Sequence, residues 1–175
     1  RRPRADIPLR RALKAQRAAH LQGPKISIIV PLYNTPAKLF DEMLQSVVRQ
    51  TYTNWELVLV DASDADKRLE CRLPKAVPGT IVYEPIENGG IALNTTRGFA
   101  LAHGEYITLL DHDDVLYPNA LFEVVQTIQN TRADFVYSDE IVLSADLKEL
   151  GGYHFKPDFA PDYLRGVNFI THLAV

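Results

Sequence analysis

The segment Glu105-Tyr106-Ile107-Thr108-Leu109-Leu110-Asp111-His112-Asp113-Asp114 is an apolar run that ends in three carboxylates within four positions. Crowded carboxylates repel one another and are costly to take out of water. A cation, or a polyphosphate carrying a metal, removes that cost. Asp111 and Asp113 are two apart and share one side of an extended backbone. A hard divalent cation, Mg²⁺ or Mn²⁺, is commonly held by one or two carboxylates together with substrate phosphates. A second reading stays open on these residues alone, in which Asp113 or Asp114 caps a helix that starts near Pro118.

Periodicity supplies the elements that would position these groups. Lys25–Val30 reads as a buried strand stopped by Pro31. Leu39, Phe40, Met43, Leu44, Val47 and Val48 recur at helical spacing. Trp55–Val60 is a second strand, a short helix is expected over 64–72, and Thr80–Tyr83 is a third strand. Asn88-Gly89-Gly90 is a turn that opens a helix running to about His103. Glu105–Leu110 is a fourth, buried strand. Leu121, Val124, Val125 and Ile128 form the stripe of a helix begun by Pro118. Ala133–Tyr137 is a fifth strand, ending in Asp139 and Glu140. A hairpin of 141–143 with 153–155 is expected to turn at Gly151-Gly152, Pro161 opens a short helix, and 168–175 starts another strand.

Alternating apolar strands and helices imply an α/β fold, a mostly parallel sheet sandwiched by helices. Such sheets take ligands at the carboxyl ends of their strands. The polar clusters fall there: Tyr33-Asn34, Asp61–Asp64, Asn88–Gly90, Asp111–Asp114 and Asp139-Glu140.

The bulk properties narrow the class. The chain has 175 residues, 46% hydrophobic and 23% charged, as in a soluble globular domain. A single cysteine, Cys71, excludes an intrachain disulfide framework. Within the net charge of −3, residues 1–22 carry seven Lys/Arg against Asp6, so the remainder is strongly acidic. That body is no nucleic-acid surface, which needs a basic face. Residues 1–24 read as a basic arm or linker, able to make peripheral membrane contact, and 25–175 as the folded domain. No segment has the form of a secretory signal, so a cytoplasmic setting, at the inner face of a membrane, is expected. The start at Arg1, the lone Met43 and the end inside an apolar pattern suggest a segment of a longer polypeptide.

Several chemistries lack their motifs. The first strand is not followed by Gly-x-Gly-x-x-Gly, and there is no phosphate loop ending in Gly-Lys-Ser/Thr. The glycine-rich first loop of sugar-1-phosphate nucleotidylyltransferases and a Gly-x-Ser-x-Gly elbow are missing too. The histidines, His20, His103, His112, His154 and His172, form no His-x-x-x-His pair that would support zinc. A flavodoxin-like receiver would need acids where Pro31-Leu32-Tyr33-Asn34 stand.

The order of motifs is more specific. Ile-Ser-Ile-Ile-Val-Pro-Leu-Tyr-Asn (26–34), Leu-Gln-Ser-Val-Val-Arg-Gln-Thr-Tyr (44–52), Trp-Glu-Leu-Val-Leu-Val-Asp (55–61), Asn-Gly-Gly-Ile (88–91) and the 104–114 segment strongly resemble the family 2 glycosyltransferases, which have the GT-A fold. Residues 155–162 resemble a further segment of bacterial cell-surface polysaccharide members, some of them rhamnosyltransferases. The resemblance covers about 25–175 and implies a GT-A domain truncated at its C-terminal end. It implies that Asp113 binds Mn²⁺ or Mg²⁺, that Asp111 faces the ribose or the metal, and that Asp114 supports them or caps a helix. Pro31, Tyr33 and Asp61 fall where a uracil or thymine pocket is built, and Asn88 and Gly90 where a loop approaches the nucleotide.

Two departures stand out. The paired acids after the second strand are here Asp61-Ala62, and Asp64 is the residue that could compensate. The helix after Asn88 reads Asn94-Thr95-Thr96-Arg97 instead of an Ala-Arg-Asn-like stretch. The implied reaction is inverting transfer of a sugar from a nucleoside diphosphate, of UDP or dTDP type, to a hydroxyl of a glycan or lipid-linked acceptor. The general base is expected beyond Val175, with Asp139 and Glu140 as weaker candidates. The competing class is a non-catalytic nucleotide-binding or assembly module of a multidomain glycan-synthesis protein.

Overall fold

A computed structural model describes residues 6–144 and 146–175. Four strands, β1 (Ile26–Leu32), β2 (Trp55–Asp61), β3 (Thr80–Pro85) and β4 (Tyr106–Leu109), form one all-parallel sheet in the order β3-β2-β1-β4. β1 and β2 sit in the middle, and β2 is buried at every position. That is why both read as mainly apolar runs, since helices cover the two faces; Ser27 and Glu56, the buried polar pair inside them, bond each other at 2.6 Å.

Alternation within the strands divides the core. Ile26, Ile28, Val30, Leu57 and Leu59 face α2 (Ala37–Val48) and α4 (Ala120–Thr131). Phe40, Met43, Leu44 and Val47 of α2 and Leu121, Val124, Val125 and Ile128 of α4 complete this cluster. Ile29, Val58 and Val60 point to the opposite face, toward α3 (Ile91–Leu101). Gly98 of α3 lies so close to the Ile29 side chain that a Cβ there would collide with it, so the helix seats directly on the sheet.

α1 (Asp6–Ala19) lies over the α2–α4 side. Gln16 Nε2 donates to Glu123 Oε1 at 2.8 Å, and the Arg17 guanidinium donates to the Arg49 carbonyl at 3.0 Å. Arg1, Arg2 and Arg4 of the expected arm lie outside the described residues.

The later elements depart from expectation. β4 is the edge of the sheet, not an interior strand, and Leu109 is 40% exposed. The expected helix over 64–72 is two separate 3₁₀ turns, 65–67 and 70–72, because Arg68 between them is extended. Ala133–Tyr137 does not join the parallel sheet. Val136 exchanges backbone hydrogen bonds with Val175, and Tyr137 bridges Ala174 antiparallel, so the chain end captures this run. The expected final strand contributes only that short pairing.

The hairpin of β5 (Glu140–Leu143) and β6 (Leu150–His154) forms, but Gly151 and Gly152 lie inside β6. Its turn is made instead by Ser144 and Asp146, whose side chains bond at 2.7 Å and satisfy the turn locally. α5 (Pro161–Gly166) starts at its proline as expected.

Candidate functional site at the carboxyl rim of the sheet

The rim is built by the residues that leave β1, β2 and β4. Tyr33, just past β1, is 52% exposed and free to offer a ring face. Asn34 follows with φ of 49°, a left-handed position that asparagine tolerates. Its backbone N–H donates to Ser63 Oγ at 2.8 Å, and its side-chain amide donates to Asp64 Oδ2 at 3.2 Å. Asp64 also pairs with Lys67 at 2.7 Å, which lowers its carboxyl below the usual range. The loops after β1 and β2 are thereby tied into one wall. Pro31 is part of β1, opposite Val60.

Asp61 has a different setting from the one its position suggests. It is fully buried. Its carboxylate accepts from Ser63 N at 3.0 Å, Leu69 N at 3.4 Å and the Tyr83 hydroxyl at 2.6 Å. Burial and this bond to Asp61 hold the Tyr83 phenol in its neutral form well beyond the usual range. Asp61 thus organises the loop after β2 from beneath, while Asp64 is the acid exposed on that wall.

Asn88 Oδ1 accepts from Gly90 N at 2.9 Å and from Asn94 Nδ2 at 3.1 Å, and Asn94 Oδ1 accepts from Gly89 N. This knot opens α3 with Gly90 at φ of 85°, a conformation that requires glycine. Arg97 faces Glu84 at 2.8 Å and is engaged there.

After β4 the carboxylates turn back on themselves, with Asp114 N donating to the Asp111 carbonyl at 3.2 Å. The capping reading is corrected here, because α4 begins only at Ala120 with Asn119 before it. His172 arrives from the far end of the chain. Its Nε2 lies 3.2 Å from Asp111 Oδ2 and 3.9 Å from Asp114 Oδ2. Ligand atoms of Asp111, Asp114 and His172 all lie within 4.8 Å of one another. Asp113, the expected metal residue, is exposed beside this trio and not part of it. Burial pushes the Asp114 carboxyl up, and Asp111, Asp113 and Glu140 push it further, against the opposing pull of His172.

These residues fit a divalent cation. Two carboxylates and an imidazole converge, and the repulsion at Asp114 is of the kind a bound cation relieves. An imidazole ligand favours Mn²⁺ over Mg²⁺, which prefers oxygen. Sequence reasoning missed His172, since it has no partner at local spacing and only the tertiary fold brings it in.

Glu140 is the other departure. Its Oε1 bonds the His154 ring, and its Oε2 accepts from Thr171 Oγ1 at 2.7 Å and His172 N at 3.3 Å, with Lys156 Nζ at 3.5 Å. Despite the opposing effect of burial, these donors hold its carboxyl down at about 2. A carboxylate so engaged is a poor proton acceptor, which argues against Glu140 as the general base. Asp139 accepts from Lys156 N at 2.8 Å and is otherwise exposed.

The model of glycosyl transferase family 2 matches residues 27–152. The chain belongs to that family. A protein of Sinorhizobium fredii, uncharacterized protein y4gI, is 40% identical over 161 residues, covering 87% of this chain and 17% of that protein. The O-antigen biosynthesis protein RfbC of Myxococcus xanthus is 32% identical over 156 residues, covering 87% of this chain and 12% of that protein. The chain therefore spans less than a fifth of either relative. Among solved structures, S. aureus TarS 1–349 in complex with UDP is similar with a TM-score of 0.59 and 26% identity, over 65% of this chain and 34% of that one. The family 2 domain here thus has the GT-A architecture, its parallel sheet flanked by helices.

Proposed function

We propose that this chain is the nucleotide-sugar-binding part of a metal-dependent, inverting glycosyltransferase. Its donor is a sugar on UDP or dTDP, and its acceptor is a hydroxyl of a cell-surface glycan or lipid-linked glycan. The observation that carries the reading is the convergence of Asp111, Asp114 and His172 at the carboxyl rim of the sheet. The UDP bound in the structurally similar S. aureus TarS and the O-antigen biosynthesis named for the Myxococcus relative support it.

In this reading Tyr33 stacks on the base, and Asp64, Asn34 and Ser63 shape the wall beside it. Pro31 and Asp61 form the floor, and the Asn88–Gly90 knot brings backbone close to the nucleotide. Asp111, Asp114 and His172 hold the cation, with Asp113 adding negative field. The metal, when bound, supplies Lewis-acid stabilisation of the departing diphosphate. Direct displacement needs a base at the acceptor hydroxyl. Of the two carboxylates proposed within this chain, Asp139 is the freer.

Among the described residues no helix is long and apolar enough to cross a membrane. Arg10, Arg11, Lys14 and Arg17 are exposed on α1, and this basic face supports peripheral contact with an anionic inner membrane surface.

Calorimetric titration with UDP and dTDP, each with and without Mn²⁺, tests the reading. Metal-dependent binding that disappears in Asp111→Ala is expected. Metal-independent binding, or none in a folded sample, would overturn it in favour of a non-catalytic nucleotide-binding or assembly module.

A further inference from the structure

His172 is held through its backbone. Its N–H donates to Glu140 Oε2, and its carbonyl accepts from Lys156 Nζ. Glu140 and Lys156 are themselves paired at 3.5 Å, and the Lys156 side chain is 1% exposed. An ammonium so buried needs anionic and carbonyl partners, and it has one of each here. Thr171 adds a bond from the preceding residue to the same Glu140 oxygen at 2.7 Å. Glu140 heads β5 and is held from β6 by its strand partner His154. Lys156 follows two residues after β6, and its own N–H is anchored on Asp139. The hairpin and the residues just after it thus present an anion and a cation as a fixed pair, and that pair grips both backbone polar groups of one residue. The side chain of that residue is the imidazole facing Asp111 and Asp114.

We propose that Glu140 and Lys156 are positioning residues that clamp the His172 backbone and so aim its imidazole into the metal cluster. This rests on the metal reading above. It assigns the hairpin a purpose: β5 and β6 carry no cation ligand, yet they set the direction of one. Partners that orient a metal-binding histidine commonly matter by about ten- to a hundredfold in metal affinity.

The test uses Glu140→Gln and Lys156→Met, with Lys148→Met, an exposed hairpin lysine, as control. Free Mn²⁺ is followed by electron paramagnetic resonance. In metal-free samples of the same proteins, nuclear Overhauser contacts between the His172 ring and the β protons of Asp111 and Asp114 report ring direction. Both clamp variants should weaken Mn²⁺ binding about tenfold or more and lose the ring contacts, with the control unchanged. Folded clamp variants with parental Mn²⁺ affinity and intact ring contacts overturn the proposal. If the parent itself fails to bind Mn²⁺, the metal reading falls. The ring contacts then decide the clamp alone, their loss in the variants supporting it and their persistence refuting it. Should both variants unfold, Thr171→Val, which removes one bond and no charge, is read by the same contacts.

Discussion

His172 Nε2 stands 3.2 Å from Asp111 Oδ2, joining the last residues of the chain to the end of β4. If the pair binds a cation together with Asp114, His172→Ala and Asp111→Ala each weaken Mn²⁺ binding by more than about tenfold. Protons compete for the same ligands, so affinity also falls with pH. Burial, with Asp111 and Asp113 beside it, raises the Asp114 carboxyl, so it takes up its proton at a higher pH than an ordinary aspartate. Mn²⁺ titrations at about pH 7 and about pH 5.5 check both points. Equal affinity at the two values would show that protons do not compete for the site over this range.

Tyr33 contributes little to the core, being 52% exposed. Tyr33→Ala should therefore leave the melting temperature nearly unchanged. A lost ring–base stack is worth about 1 kcal/mol, or about fivefold in UDP affinity. Calorimetry on Tyr33→Ala and Tyr33→Phe separates the ring from its hydroxyl, and Phe should retain most of the binding.

Asp61 makes the opposite prediction. Its carboxylate is buried beneath three donors, so Asp61→Asn sets an amide where an acceptor is required. The cost is about 2 kcal/mol or more, and Tyr83→Phe costs about 1 kcal/mol. For a domain of this size each kcal/mol lowers the melting temperature by about 2–4 °C. Asp61→Asn with unchanged melting but no UDP binding would show that the carboxylate acts on the ligand rather than on the loop.

Glu140 gives a pH signature. Its carboxyl lies at about 2 in the fold against an ordinary value of 4.5. A lowered folded pKa means that the unfolded chain takes up the proton first. The stabilisation is complete above about pH 4.5 and is lost progressively as the pH falls through about 2. Glu140→Gln removes this component. Its melting temperature should be lower than the parent's at neutral pH, and the gap should narrow on acidification. A gap that stays constant down to about pH 2.5 would show that the ionised form has no special role.

Much of the fold could be read locally. The β-branched runs of β1 and β2 and the stripes of α2 and α4 each announce their period within a dozen residues, and burial on the expected faces followed. The positions of Tyr33, Asn88 and Asp111 on one rim follow from strand direction alone, because parallel strands carry all their ends to the same side. Errors gathered where pairing is non-local. Ala133–Tyr137 has a strand's composition, but the chain end took it as a partner. The glycines of β6 look like a turn, yet Ser144 and Asp146 satisfied that turn first.

The amino-acid order by itself determined the alternating architecture, the acidic end of β4 and the membership that the motif order implied. Those features depend on local periodicity and on the handed, parallel stacking it enforces. Only the tertiary structure decided which acids face outward and which are committed inside. It turned Asp61 toward Tyr83, gave Glu140 to Lys156, and carried His172 to Asp111. Each of those outcomes depends on distance and desolvation between residues remote in sequence, and neither quantity is encoded in local spacing.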